Sequence, residues 1–288
     1  MARKRSELEG NPLKIILSRK GFDSSAGGHA SPILPDGKML SLPIPSALDT
    51  LGYDEIAAPG GKCLQWIIDE LAANARITGK GAHLDPDLLR RARPRLPGWR
   101  PTLGQISAAA THLQNQEVSV GDLFLFYGWF RHTEQAGDGL RFRRGSNGYH
   151  VIFGYLEIGE ILIAPAHTDL PAWLHDHPHA APSRMAKMTN TIYVAARKSS
   201  FHPKYPGAGV FNFDKRNVLT KKGLSRSRWN LDPALFQNVK ISYHSEAAWR
   251  DGYFQSYPRA QEYVIHADDR IVSWASQLIQ KSRLWDSA

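Results

Sequence analysis

The chain has 288 residues, 42 % of them apolar and 10 % aromatic, and carries a formal net charge of +9. These proportions exclude an intrinsically disordered chain and supply a sizeable core, while no stretch approaches the ~18 consecutive apolar residues of a membrane helix. One cysteine, Cys63, excludes an intramolecular disulfide and a cysteine-rich zinc site; with a charged start and no secretory h-region behind it, the sequence predicts a cytoplasmic protein with no membrane partner.

Residues 1–12 read as a flexible basic N-terminus and 13–288 as a single domain. Lys14–Ser18 is a short Ile- and Leu-rich run that predicts a buried strand, followed by the polar loop SRKGFDSSAGG. The prolines and PDG turn of SPILPDGKMLSLPIP forbid a long helix there. Across 61–76, Leu64, Ile67, Ile68, Leu71, Ala72 and Ala75 recur at helical spacing, predicting an amphipathic helix with Cys63 on its apolar side. HLDPDLL at 83–89 predicts a short helix from Pro86, with Asp85 as N-cap and Asp87 in the first turn. A further helix is expected over 102–114. From Gly121 the pattern turns β-like: GDLFLFYGWF and YHVIFGYLEIGEILIA are aromatic and β-branched. Their polar separator, 131–148, is too long for a tight turn and reads as a binding loop with Arg131 as a phosphate ligand. Strands are expected at 190–196, 210–213 and 239–243, and a closing helix over 268–281. The fold class is α+β, with a mixed, mostly antiparallel central sheet and flanking helices.

Three polar groups could carry chemistry. In the opening loop Arg19 and Lys20 suit a phosphate, Ser24 and Ser25 offer hydroxyls, and Gly27 and Gly28 let a ligand approach the main chain. Asp23 there is either a general base or the cap of a turn. The loop matches neither the Walker nor the dinucleotide-binding pattern. His83, Asp85 and Asp87 can assemble a divalent-metal site or merely cap a helix. His175, His177 and His179 alternate as transition-metal ligands do, and a neutral imidazole could serve as a base; hydrogen bonding within the fold is the plainer alternative. The candidate metal ligands are thus His83, Asp85, His177 and His179, and the candidate proton-moving residues Asp23, Asp87 and His177.

The positive charge is concentrated. Residues 88–100 hold five arginines and no acid, and residues 215–228 hold six cations and no acid. Both read either as solvated loops or, with Trp99 and Trp229 beside them, as phosphate-contacting surface; Lys221, Lys222, Arg226 and Arg228 are the candidate nucleic-acid ligands. Tyr127, Trp129, Phe130, Tyr149 and Phe153 sit on predicted strands, as core or as a platform for a base.

Several stretches taken together, KIILSRKGFDSSAGG, SPILPDGKMLSLPIP, HLDPDL at 83–88, GDLFLFYGWFR, HPH at 177–179, NTIYVA and QEYVI at 261–265, resemble the nucleotide modification associated domain of the third type over nearly the whole chain. The resemblance implies a bacterial or phage system that makes or recognises modified bases, with a nucleotide or nucleic acid as partner, and names no reaction. One departure stands at Arg259-Ala260-Gln261-Glu262, where that family suggests glycine in place of Ala260. The central strands also look like those of PUA-like barrels, including the ASCH and EVE types, by analogy only. Two functions follow: an enzyme acting on a nucleotide or base in a polar cleft, or a non-catalytic reader of nucleic acid carrying modified bases.

Overall fold

A computed structural model describes residues 12–145, 147–164, 169–202, 204–257 and 261–287; residues 1–11 of the predicted basic N-terminus and the Arg259–Ala260 pair lie outside these. Among the described residues the main sheet has ten strands: β1 (Lys14–Arg19), β2 (Ser31–Ile33), β3 (Thr102–Gln105), β4 (Leu123–Ala136), β5 (Gly139–Phe142), β6 (Tyr149–Ile163), β7 (Thr191–Ala195), β8 (Ala208–Phe211), β9 (Glu262–His266) and β10 (Leu284–Ser287). Their path is β9-β1-β4-β6-β7-β3, with β2 and β5 added on β4, and β8 joining β6 to β10. β1 and β2 lie parallel to β4 and the other pairs are antiparallel. The sheet is therefore mixed and mostly antiparallel, in an α+β fold.

β1 has neighbours on both sides and cover on both faces, which explains why KIILS is buried throughout. Alternation then divides its side chains. The parallel register pairs Arg19 with Tyr127, and the antiparallel one pairs Ser18 with Glu262, so Arg19 and the next residue, Lys20, leave on opposite faces. The sheet curls without closing into a barrel: the path ends β9 and β3 share no ladder, yet Gln105 Nε2 donates to Glu262 Oε1 at 2.6 Å across the gap. Helix α2 (Ser107–Asn115) packs on β9 beside this seam.

Tertiary pairing overrides several local expectations. The predicted helix over 102–114 splits, because residues 102–105 pair with β7 and only 107–115 coil. The first helix is shorter than its pattern: α1 spans Leu64–Leu71, with Cys63 standing before it, and Ala75 and Ile77 reach the same core from turns. No helix begins at Pro86; Asp87 instead bridges to Thr102 on the edge of β3. Much of the separator at 131–148 is hairpin rather than loop, since β4 continues to Ala136 and β5 returns at once to Phe142. There Arg131 lies 4.5 Å over the Phe142 ring and donates to the Arg143 carbonyl, bracing the hairpin. At 239–243 only Ile241 bridges, to Ile265. Asp268 caps the last helix, α3 (Asp269–Lys281), by accepting from the Ile271 amide at 3.0 Å.

Candidate functional site

A buried His–Asp centre occupies the seam. His83 ends a two-stranded ladder in which Gly81–His83 pairs with Ile44–Ser46. Its Nδ1 lies 2.9 Å from Asp49 Oδ2, and Asp49 in turn holds Arg184 in a two-pronged pair at 2.7 and 2.8 Å. His179 projects from the turn at Pro178–Ala180, with Nδ1 at 2.7 Å from Asn190 Oδ1. Gly104 makes room for it: a Cβ there would meet the His179 ring at 2.1 Å. Asp85 runs along the free edge of β3, where Oδ1 accepts the Gly104 amide at 2.7 Å. Oδ2 lies 4.0 Å from Nε2 of both His83 and His179. His177 Nδ1 accepts the His179 amide, and its Nε2 lies 3.4 Å from Asp85 Oδ1.

Burial alone would raise the Asp85 carboxyl, but the His177 imidazole 3.4 Å away and nearby positive charge, that of Lys20 included, hold it well below the usual carboxylate range. Burial pushes His179 down to about 4, so its imidazole is neutral at pH 7. Asp49 is likewise held low against its burial, chiefly by its bonds from His83 and Arg184. Lys20, expected to hold phosphate, instead pairs with Glu262 at 3.0 Å on this inner face.

On the outer face, beyond Arg19, a cleft of about 400 Å³ opens. Tyr127, His150 and Tyr263 come from three strands of the sheet; Asp23, Ser24 and Ser25 come from the opening loop, and Ser225, Arg226 and Ser227 from the second basic run. Asp23 Oδ1 accepts from the Ser25 amide, the Ser25 hydroxyl and the Ala26 amide at 2.7–2.8 Å, so this carboxylate fixes the loop's shape. Gly27 must be glycine for room as well as for its φ of +79°, because a Cβ would fall 2.4 Å from the Phe22 ring. Arg226 stacks 3.7 Å over Trp129 and donates to Ser24 Oγ at 2.7 Å. Trp229 donates to His150 Nδ1 at 3.1 Å, which makes Nε2 the protonated nitrogen of that ring. Burial, aided by the charges of Arg226 and Arg19, pushes His150 down to about 3. Its N–H is a neutral donor in a basic cleft.

The family model described as nucleotide modification associated domain 3 matches residues 14–266. The chain belongs to that family. No curated protein and no solved structure matches it. The matched span holds both the seam centre and the cleft, so each is part of this nucleotide modification associated domain.

The expected site residues are distributed as follows. Arg19, Asp23, Ser24, Ser25 and Arg226 share the cleft. His83, Asp85, His177 and His179 share the seam. Asp87 stands apart, with Arg95 clasping both carboxylate oxygens. Gly28 sits in the Asp23 turn, where its amide donates to the Asp23 carbonyl. Lys221 donates to the Gly252 carbonyl, Arg228 lies 5.1 Å over the Tyr253 ring, and Lys222 is exposed. Trp99 and Trp229 are buried, so neither offers an open stacking face beside its basic run. Sequence reasoning missed Asp49, Asn190, Glu262, His150 and Tyr263. Glu262 and Tyr263 lie inside QEYVI, the one stretch that pointed toward them.

Among the described residues, no helix is long and apolar enough to cross a membrane.

Proposed function

We propose that this protein is a nucleotide- or base-modifying enzyme that holds the phosphate and sugar of its substrate in the Arg19–Arg226 cleft. The observation that carries the reading is the placing of two guanidinium groups over a floor of Tyr127, Tyr263 and the neutral His150. Guanidinium forks and hydroxyls are the donors that phosphate oxygens select, and about 400 Å³ is within the range of small-ligand pockets. A base within a duplex would have to be flipped out to enter, so a free nucleotide and a single strand are the two forms to test. The enzyme reading is favoured by the neutral imidazole of His150 and the carboxylate of Asp23 within the cleft itself; the buried His–Asp centre lies on the opposite face and lines no part of it. Isothermal titration with nucleoside monophosphates, the matching nucleosides and a short single strand tests it. Phosphorylated ligands should bind at least ~10-fold more tightly than nucleosides, as one charge-assisted bond is worth about 1.5–3 kcal/mol. Equal affinity for nucleosides and nucleotides refutes a phosphate-holding role.

The alternative, a reader of modified nucleic acid, rests on the exposed Lys222 and Arg228, which flank Arg226 in the same basic run. It predicts binding to polymer with a steep salt dependence, and no chemical change in the bound strand by mass spectrometry.

A further inference from the structure

We infer that His83, Asp85 and His179 form a binding site for a divalent transition-metal ion of the zinc or ferrous class. The inference stands on hydrogen-bond bookkeeping in the seam and is independent of what the outer cleft binds. One atom from each residue lies within 4.8 Å of those of the other two. The decisive question is which of these atoms carry protons.

His83 Nδ1 faces Asp49, a carboxylate that can only accept, so that nitrogen bears the hydrogen and Nε2 keeps a lone pair. Asn190 Nδ2 donates to the His179 carbonyl at 2.8 Å, which fixes the amide's orientation and leaves Oδ1 to accept from His179 Nδ1 at 2.7 Å. His179 Nε2 therefore also presents a lone pair. Between these nitrogens stands Asp85 Oδ2, 4.0 Å from each and too far for a hydrogen bond. Three acceptors thus face one point with no donor among them, an arrangement that a cation stabilises.

The surroundings match those of a metal centre. Both imidazoles are oriented through their second nitrogen, one by a carboxylate and one by an amide oxygen, as ligating histidines are. Arg184 locks Asp49 and also donates to the Pro178 carbonyl, tying the two histidine-bearing segments together. Donors around tetrahedral zinc stand roughly 3.4 Å apart, so spacings of 4.0 Å to Asp85, and of no more than 4.8 Å within the trio, require side-chain shifts on the order of 1 Å to close on an ion. Two nitrogens with one carboxylate favour zinc or ferrous iron over magnesium or calcium. His177 is not a ligand: its Nδ1 accepts a backbone amide, so Nε2, 3.4 Å from Asp85 Oδ1, bears the proton and offers no lone pair.

The test uses the full chain without a histidine tag, stripped with a chelator and shown to be folded by circular dichroism. Titration calorimetry and metal analysis with Zn²⁺, Co²⁺ and anaerobic Fe²⁺ should give about one equivalent for at least one of them, with a raised melting temperature. X-ray absorption of the zinc form should show nitrogen and oxygen neighbours that include imidazole, and no sulfur. His83→Gln, the most accessible of the three positions, and His179→Gln should each weaken binding more than the ~10–100-fold seen when a supporting partner is lost. Should His179→Gln fail to fold, His83→Gln decides alone. Failure of the folded wild type to take up any of the three metals overturns the inference, as does an equivalent bound with unchanged affinity by folded His83→Gln.

Discussion

The seam depends on one buried ion pair, and Lys20→Met tests how much. Lys20 Nζ sits 3.0 Å from Glu262 Oε1, with the two side chains 9 % and 2 % exposed. Gln105 donates to the same oxygen at 2.6 Å, while Oε2 has no hydrogen-bond partner. Methionine preserves most of the lysine stem, so the substitution mainly deletes the charge and leaves a buried carboxylate with one neutral donor. Removing one member of such a pair costs about 3–5 kcal/mol, because an uncompensated charge remains in the interior. For a chain of this size that corresponds to a fall on the order of 10 °C in melting temperature. Urea unfolding at pH 7 measures the cost. The double variant Lys20→Met, Glu262→Gln should recover most of the loss, since both charges leave together and residue 262 can still accept from Gln105. A loss below about 1 kcal/mol in the single variant refutes the reasoning: it means that Glu262 is served by water or by another cation, and that the seam does not rest on Lys20.

Further outcomes follow from the same geometry. Arg226→Ala should weaken nucleotide binding roughly 10- to 100-fold, and Arg226→Lys should recover little, since lysine keeps the charge but not the planar group that both bonds Ser24 Oγ and stacks on Trp129; titration calorimetry reads both. Gly104→Ala should cost about 1–3 kcal/mol through its clash with the His179 ring, seen in thermal melts. His150 is neutral when folded down to about 3 against an ordinary value of 6.5, so the unfolded chain takes up a proton that the folded one refuses. Its contribution is complete above pH 6.5 and is lost as pH falls toward 3, with a slope of up to about 1.4 kcal/mol per pH unit. Replacing His150 with Gln should flatten the urea-derived stability profile between pH 6.5 and 4. If the reader alternative holds, Lys222→Ala and Arg228→Ala should each lower the salt slope of single-strand binding by about 0.7 unit.

Strands were legible where burial on both faces left continuous apolar runs, as in KIILS and LFLFYGWF, and α3 where a capping Asp268 preceded a clean 3.6-residue period. Residues 102–114 misled because their propensity is decided by a partner 90 residues away: β7 captures Thr102–Gln105, and only what lies past Ile106 is free to coil. Asp85 misled for a related reason. Asp-Pro-Asp has the local chemistry of a helix start, but the amide that Asp85 accepts belongs to Gly104 on another strand. The residues that convert three ligands into an organised centre, Asp49 and Asn190, are invisible to spacing because they lie 34 and 11 positions from the histidines they orient.

The opening loop shows why composition could not separate the two centres. SRKGFD places two cations side by side, and as a sequence they read as one phosphate-binding pair. Strand geometry forbids that pairing, since Arg19, the last residue of β1, and Lys20, which follows it directly, leave on opposite faces. Arg19 goes outward with Tyr127 into the cleft, and Lys20 goes inward to Glu262 beside Asp85. The two faces therefore share one strand but not one charge. A ligand in the outer cleft meets Arg19 and Arg226 without drawing on the lysine that supports the seam. Arg19→Ala should accordingly weaken nucleotide binding while leaving metal uptake at His83, Asp85 and His179 unchanged, whereas His83→Gln should do the reverse. Loss of both properties in either single variant, with the fold intact by circular dichroism, would show that β1 couples the faces rather than dividing them.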